Sequence, residues 1–399
     1  MTAAPLATPL ANPGAGEIFQ ILRDGQARTK AELAAMTGLA RSTVALRIDG
    51  LLSSGLVRPA GEAVSTGGRP PSRIAFNADA GVVLALDLGA THGTAAVTNL
   101  SGNILDSLTR PLDIADGPAS VLDSILADGD KLLEKFVTAR RPLMGVGIGV
   151  PGPVEHSTGR PTNPPIMPGW DRFDVPQYVQ RKHSVPVLVD NDVNILALGE
   201  HALRWSDVDD LLFVKVSTGI GAGIIAGGQL QRGAQGSAGN MGHVHVPYRQ
   251  DSGRDPADDR DLEALASGSA IAATLREQGY DTQRSADVIE LVRSGDAAAI
   301  TATRQAGRDV GEVLATVVNL LNPSTIVIGG SIARAGEHLL AGVREVVYRR
   351  SIPLATQHLA IVQSQAGDRA AVFGAAIMVA NEILSPARVD AYVAMQSER

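Results

Sequence analysis

The sequence predicts an α/β chain in two parts, a short helical head and a larger body of buried strands joined by small-residue turns. Three observations carry that expectation. RSTVALRIDGLLSSG, residues 41–55, repeats Val44, Ile48, Leu51 and Leu52 at helical spacing, with Arg41, Ser42, Thr43 and Arg47 on the other face. LALDLGATHGTAAVTNLSGNIL (84–105) and LLFVKVSTGIGAGIIAGGQL (211–230) share one pattern: apolar run, turn, apolar run, turn. PVLVDNDVNILALGEH (186–201) reads as a buried strand that delivers Asp190, Asn191 and Asp192 at its carboxyl end, where open α/β sheets place their chemistry.

The bulk numbers fit this division. At 399 residues the chain exceeds one ordinary core. With 44% hydrophobic and 19% charged residues it lies far from the disordered class. There is no Cys, which excludes disulfides and thiolate metal sites and fits a reducing, cytoplasmic setting. No run of 18 apolar residues exists and the first residues lack a secretion signal's basic start, so no membrane partner is expected. Residues 1–80 carry a net +2, which leaves −9 on the rest. A basic head on an acidic body suits nucleic-acid contact at one end.

Residues 1–15, rich in Ala and Pro, are expected to form a flexible tail, and the head is expected to span 16–77. EIFQILRDG predicts a first helix that ends by Gly25. Thr29-Lys30-Ala31-Glu32 is a capping box that opens a second helix, which stops at Gly38. The turn at Leu39-Ala40 then leads into the 41–55 helix. Two β-like runs, 56–58 and 73–76, flank the Gly/Pro loop that holds Arg69. Helix, turn, helix and wing in this order predict a winged helix-turn-helix. Thr29, Lys30, Arg41, Ser42, Thr43, Arg47, Arg69 and Arg73 are its candidate DNA contacts, and operator DNA its expected partner.

The body is expected from residue 78 to 399, one lobe over about 78–190 and a second over about 191–399. Its two hairpins suggest a duplicated unit with one phosphate loop each, since small residues let backbone N–H groups approach an anion. Asp87, Gly89 and Thr91 belong to the first turn, Thr218 and Gly219 to the second. Gly329 and Gly330 form a double-glycine turn in NLLNPSTIVIGGSI (319–332), where a nucleotide could approach the backbone.

Five motifs fall in one order: DLGAT, GIGVPGPV, DNDVN, STGIGAG with GSAGNMGH, and NPSTIVIGG. In these the chain resembles the ROK family of repressors, open reading frames and sugar kinases, and its regulator branch in particular. The resemblance covers nearly the whole chain. It implies an actin-like, ribonuclease-H-like body of two lobes with a sugar or sugar phosphate bound in the cleft, and a homodimer or homotetramer. It also implies that Asp192 matches the kinases' general base and Asn191 a hydroxyl partner, while Asn240, His243 and Glu263 match further sugar contacts.

Three departures from the family pattern weigh against catalysis. The phosphate loop reads Asp87-Leu88-Gly89-Ala90-Thr91-His92, where the family has a second Gly for Ala90 and a Lys for His92. Asn240 stands where a Glu is usual. Arg254, Pro256 and Asp261 stand where the family's zinc site has Cys, so no metal is expected, although His243, His245 and Asp261 could supply ligands. The expected function is therefore a sugar-responsive repressor with the phosphate loops left vestigial. The alternative is an active sugar kinase that uses ATP and Asp192 and carries a DNA-binding head.

Overall fold

The computed structural model describes residues 14–62, 72–246, 260–367 and 369–397. The head begins with α1 (Ala15–Leu22), β1 (Arg28–Thr29), α2 (Lys30–Thr37) and α3 (Arg41–Ser53) and continues with β2 (Val57–Glu62) and β3 (Ser72–Phe76). The strands form an antiparallel sheet in the order β1-β3-β2. The capping box forms as the sequence demands: Glu32 N donates to Thr29 Oγ1 over 3.2 Å, and Thr29 N donates back to Glu32 Oε2 over 2.6 Å. Gly38 ends α2 at φ 72°, a left-handed conformation that favours glycine. Ile18, Phe19, Leu33, Val44, Ile48 and Leu51 are fully buried between the three helices. Arg69 lies outside the described residues.

The first lobe comprises β4 (Val82–Leu88), β5 (His92–Asn99), β6 (Ile104–Pro111), α4 (Pro118–Phe136), β7 (Leu143–Val150), the short pair β8 (Val154–Glu155) and β9 (Arg160–Pro161), α5 (Val175–Gln180) and β10 (Val187–Asn191). Its sheet runs β10-β7-β4-β5-β6. Then α6 (Asp192–Arg204) leads to β11 (Leu211–Val216), β12 (Ile220–Ala226) and β13 (Gln229–Gln231). Four helices follow, α7 (Leu262–Ala266), α8 (Gly268–Glu277), α9 (Ser285–Arg293) and α10 (Ala297–Leu321), and then β14 (Thr325–Gly329). The chain closes with α11 (His338–Arg350), α12 (Pro353–Thr356), β15 (Ala360–Gln363), α13 (Arg369–Ile383) and α14 (Pro386–Ser397).

The second sheet, β15-β14-β11-β12-β13, repeats the first strand for strand. In each, a hairpin carries a third antiparallel strand on one side and two parallel strands on the other. The two similar stretches in the sequence are the equivalent hairpins β4–β5 and β11–β12.

Each sheet buries one face under its own helices. Leu84, Leu86 and Leu88 pack with α4 and Trp170, whose indole N–H donates to Ile114 O over 3.1 Å. The other faces are covered crosswise. Helix α6 leaves the first sheet, yet its Val193 and Ala197 pack on Leu211 and Phe213 of the second. Helix α13 leaves the second sheet, yet its Val372, Ala375 and Val379 pack on Val83 and Ala85 of the first. The two helices cross almost backbone to backbone: a methyl added at Gly199 would lie 1.9 Å from Ala370 O, and one at Gly374 1.9 Å from Ile195 O. Glu200, fully buried on α6, accepts from Ser364 Oγ, Gln365 N and Ala366 N just before α13.

This crossing returns the chain to the first lobe near its end. The second lobe does not run unbroken to residue 399, because α13 returns to the first sheet. The head meets the body through packing as well as through the chain at residues 77–81. Helix α14 packs on α1 and α3, and Leu384 and Val389 share one continuous core with Phe19 and Ile48. Burying each of these side chains is worth about 1.5–3 kcal/mol.

Candidate functional site: an interlobe cleft and a helical head

Two of the candidate sugar contacts, Asn191 and Asp192, stand at the end of β10 and the start of α6. Asn191 is the N-cap of α6: its Oδ1 accepts from Val193 N over 2.9 Å while its Nδ2 donates to Gly152 O over 2.8 Å. Asp190 is 1% exposed and accepts from Asn194 Nδ2 (2.8 Å) and Arg232 Nε (2.7 Å). Arg232 follows β13, so this pair joins the two lobes. His156 Nδ1 stands 3.6 Å from the same carboxylate. Burial first, and the Arg232 charge second, push the His156 pKa below its usual 6.5, with Asp190 opposing.

Asp192, in the first turn of α6, is buried and accepts from Lys215 Nζ over 2.5 Å. Lys215 is the penultimate residue of β11, on the face that Leu211 and Phe213 turn toward α6. Burial opposes its charge, but Asp192 and then Asp87 outweigh that penalty and hold its pKa above 10.5. The Lys215 ammonium is thus bonded to Asp192 of the sugar motif, with the charge of Asp87 in the first hairpin adding a weaker attraction.

The first small-residue turn closes through Gly89 N to His92 O at 2.8 Å. The His92 ring folds back on it, since a methyl added at Gly89 would lie 2.6 Å from His92 Cε1. Thr91 is exposed beside it. In the second turn Thr218 is exposed, and the neighbouring Ser217 hydroxyl lies 2.9 Å from Ser331 Oγ. That contact brings the turn against Gly329 and Gly330, the latter at φ 93°.

Glu263, on α7, accepts from Ile220 N over 2.7 Å and presses against Gly219 and Gly242, where added methyls would meet its Oε2 at 2.6 and 3.2 Å. His243 is exposed, with Nδ1 3.1 Å from Asp261 Oδ2. Asn240 is exposed on the preceding turn. His245 bridges to Asp261 through the backbone. Among the described residues no group of three or more His, Asp and Glu side chains is placed to hold a metal. The β11–β12 hairpin links the two groups of candidates, with Lys215 on one arm and Glu263 against its turn.

On the head, Arg41 and Ser42 are exposed at the start of α3, and Thr43 is half-buried. Arg47 is partly covered, with Nη1 buried. Lys30 pairs with Asp49 at 2.7 Å, and Arg73 approaches Glu32 at 4.0 Å. Thr29 is buried, and its hydroxyl caps α2 as the capping box requires. Sequence reasoning missed Leu46 and Met36, which are 75% and 55% exposed on α3 and α2. It also missed Lys215, although a lone Lys inside the apolar run LLFVKV was a visible signal. Arg232, Glu200 and Asp390 gave none, because their partners are far away in sequence.

The fold and the cleft define a two-lobed α/β protein of the sugar-kinase type with an additional helical head. The chain belongs to the ROK family, whose model matches residues 83–382. It is 29% identical over 382 residues to the xylose repressor of Caldicellulosiruptor bescii, covering 92% of this chain and 95% of that protein. A solved ROK family transcriptional regulator, described as a homolog of the E. coli MLC protein, superposes with a TM-score of 0.80 at 24% identity, covering 96% and 98% of the two chains. A ROK hexokinase from Thermus thermophilus superposes at 0.63 with 28% identity, covering 76% of this chain and 99% of its own.

Proposed function

We propose that the protein is a sugar-responsive transcriptional repressor whose head binds operator DNA as a winged helix-turn-helix. The observation that carries this reading is the placement of α3. Its first turn presents Arg41 and Ser42 to solvent, while its inner face and its far end are fixed by the head core and by α14. A helix held so firmly at its back can lay its N-terminal side chains on base edges. Arg41 is suited to a guanine edge and Leu46 to a thymine methyl.

The effector reading places a sugar or sugar phosphate in the cleft, near Asn191, Asp192, Asn240, His243 and Glu263. Support comes from the ROK body and from the repressors and kinases it resembles. The signal would travel along α6 to α13 and on to α14, which reaches the head. Two copies would be needed to cover a palindromic operator, which favours a homodimer or a homotetramer. Retained kinase chemistry is disfavoured by the Lys215–Asp192 pair and by the His92 ring over Gly89.

The deciding experiment is a gel shift on the DNA upstream of the protein's own gene, with and without each member of a sugar and sugar-phosphate panel. Tight binding released by one of them is expected. Absence of sequence-preferring binding would end the repressor reading.

A further inference from the structure

ATP-dependent phosphoryl transfer uses a divalent cation that bridges the phosphates and neutralises developing charge. The cleft of this chain does not fit a metal–nucleotide group. Lys215 Nζ is bonded to Asp192 at 2.5 Å, and its side chain is only 25% exposed, so it is not a surface lysine that swings aside freely. It projects from the second sheet to the first turn of α6, where it occupies the place beside Asp192 that a cation would take. A second hindrance is the His92 ring over Gly89, where a phosphate would have to approach backbone N–H groups.

We propose that Lys215 is a tethered cation that replaces the divalent metal in this cleft, so that the Asp192 carboxylate is neutralised from within the chain and ligand binding needs neither metal nor nucleotide. A lysine serves this purpose well: it is a compact point charge on a stem long enough to cross from a strand to a helix N-terminus. It also holds the Asp192 carboxylate in a fixed orientation at the start of α6. The cleft so arranged is a receptor and not a catalyst.

The inference rests on the sugar-cleft reading only for the identity of the ligand. Its test therefore uses neither sugar nor DNA. Mn2+ binding to the full-length protein is followed by electron paramagnetic resonance and by thermal unfolding with and without EDTA. The wild type and Lys215→Arg are expected to leave the Mn2+ signal unchanged and to melt at the same temperature in Mn2+ and in EDTA. Lys215→Gln and Lys215→Met are expected to gain Mn2+ binding, with a melting temperature several degrees higher in Mn2+ than in EDTA. Mn2+ binding by the wild type that Asp192→Asn removes would overturn the proposal, and so would folded Lys215→Gln that binds no Mn2+. Should neither neutral variant fold, the wild type and Asp192→Asn decide: silence in both supports the tethered cation, and binding lost on Asp192→Asn refutes it.

Discussion

The backbone N–H of Gly16 donates to Asp390 Oδ1 over 2.9 Å, so the first helix of the chain is capped by a side chain from the last. Its own N-cap, Gly14, has no side chain to offer. We expect Asp390→Ala to destabilise the protein by about 1 kcal/mol, the usual cost of a lost cap, and Asp390→Asn to retain most of it. Thermal unfolding followed by operator titration measures both effects. Equal melting temperatures for all three proteins would show that the cap is idle.

Gly50 on α3 and Val393 on α14 are packed so closely that a methyl at Gly50 would lie 2.9 Å from Val393 Cγ1. A larger side chain must push the helices apart. Gly50→Leu is expected to cost about 1–3 kcal/mol by overpacking. Adding Val393→Ala should return part of that loss, since residues in contact couple. Purely additive losses in the double variant would place the strain elsewhere.

Operator affinity should depend on the exposed turn of α3. Arg41→Ala is expected to weaken binding by about 1–3 kcal/mol if the guanidinium reads a base edge. Leu46→Ala should lose discrimination at one thymine while leaving non-specific binding intact. Gel shifts against operators with single-base changes report both.

The sugar response should be separable from DNA binding. Asp192→Asn and His243→Ala are expected to abolish release by sugar and to leave sugar-free operator affinity within a factor of about two, because both residues belong to the body and not to the head. A full sugar response in both variants would move the effector site out of the cleft.

His156 gives a pH dependence of known sign. Its folded pKa lies below 6.5, chiefly through burial, so the unfolded chain takes up the proton first as pH falls. The stability it contributes is fully present above 6.5 and is lost as pH drops toward the folded value. His156→Gln should therefore melt with a shallower acid dependence than the wild type just below pH 6.5. Parallel curves over that range would mean the histidine titrates freely.

Much of this architecture was legible in the residues. The capping box at Thr29–Glu32, Gly38 as helix stop and the duplicated hairpins are local signals, and local signals survive folding. The order of the five motifs gave the family. What could not be read was contact at long range. Nothing near Asp390 announces Gly16, and nothing near Glu200 announces the turn before α13. Thr29 carries two readings in the sequence, since one hydroxyl can cap a helix or meet a phosphate, and the cap is the one formed in the fold. Lys215 was passed over because the strand around it is so apolar that the one charge was absorbed into the pattern.

The clasp of α14 on the head bears on how the protein is made. The head's residues leave the ribosome about 300 positions before the helix that completes their core, an interval of roughly 15–60 s at about 5–20 residues per second. During that time the DNA-reading surface exists without its backing. A chain cut short by a nonsense codon or a stalled ribosome would never acquire it. The core shared by the head and α14 is therefore closed only after α14 has been made.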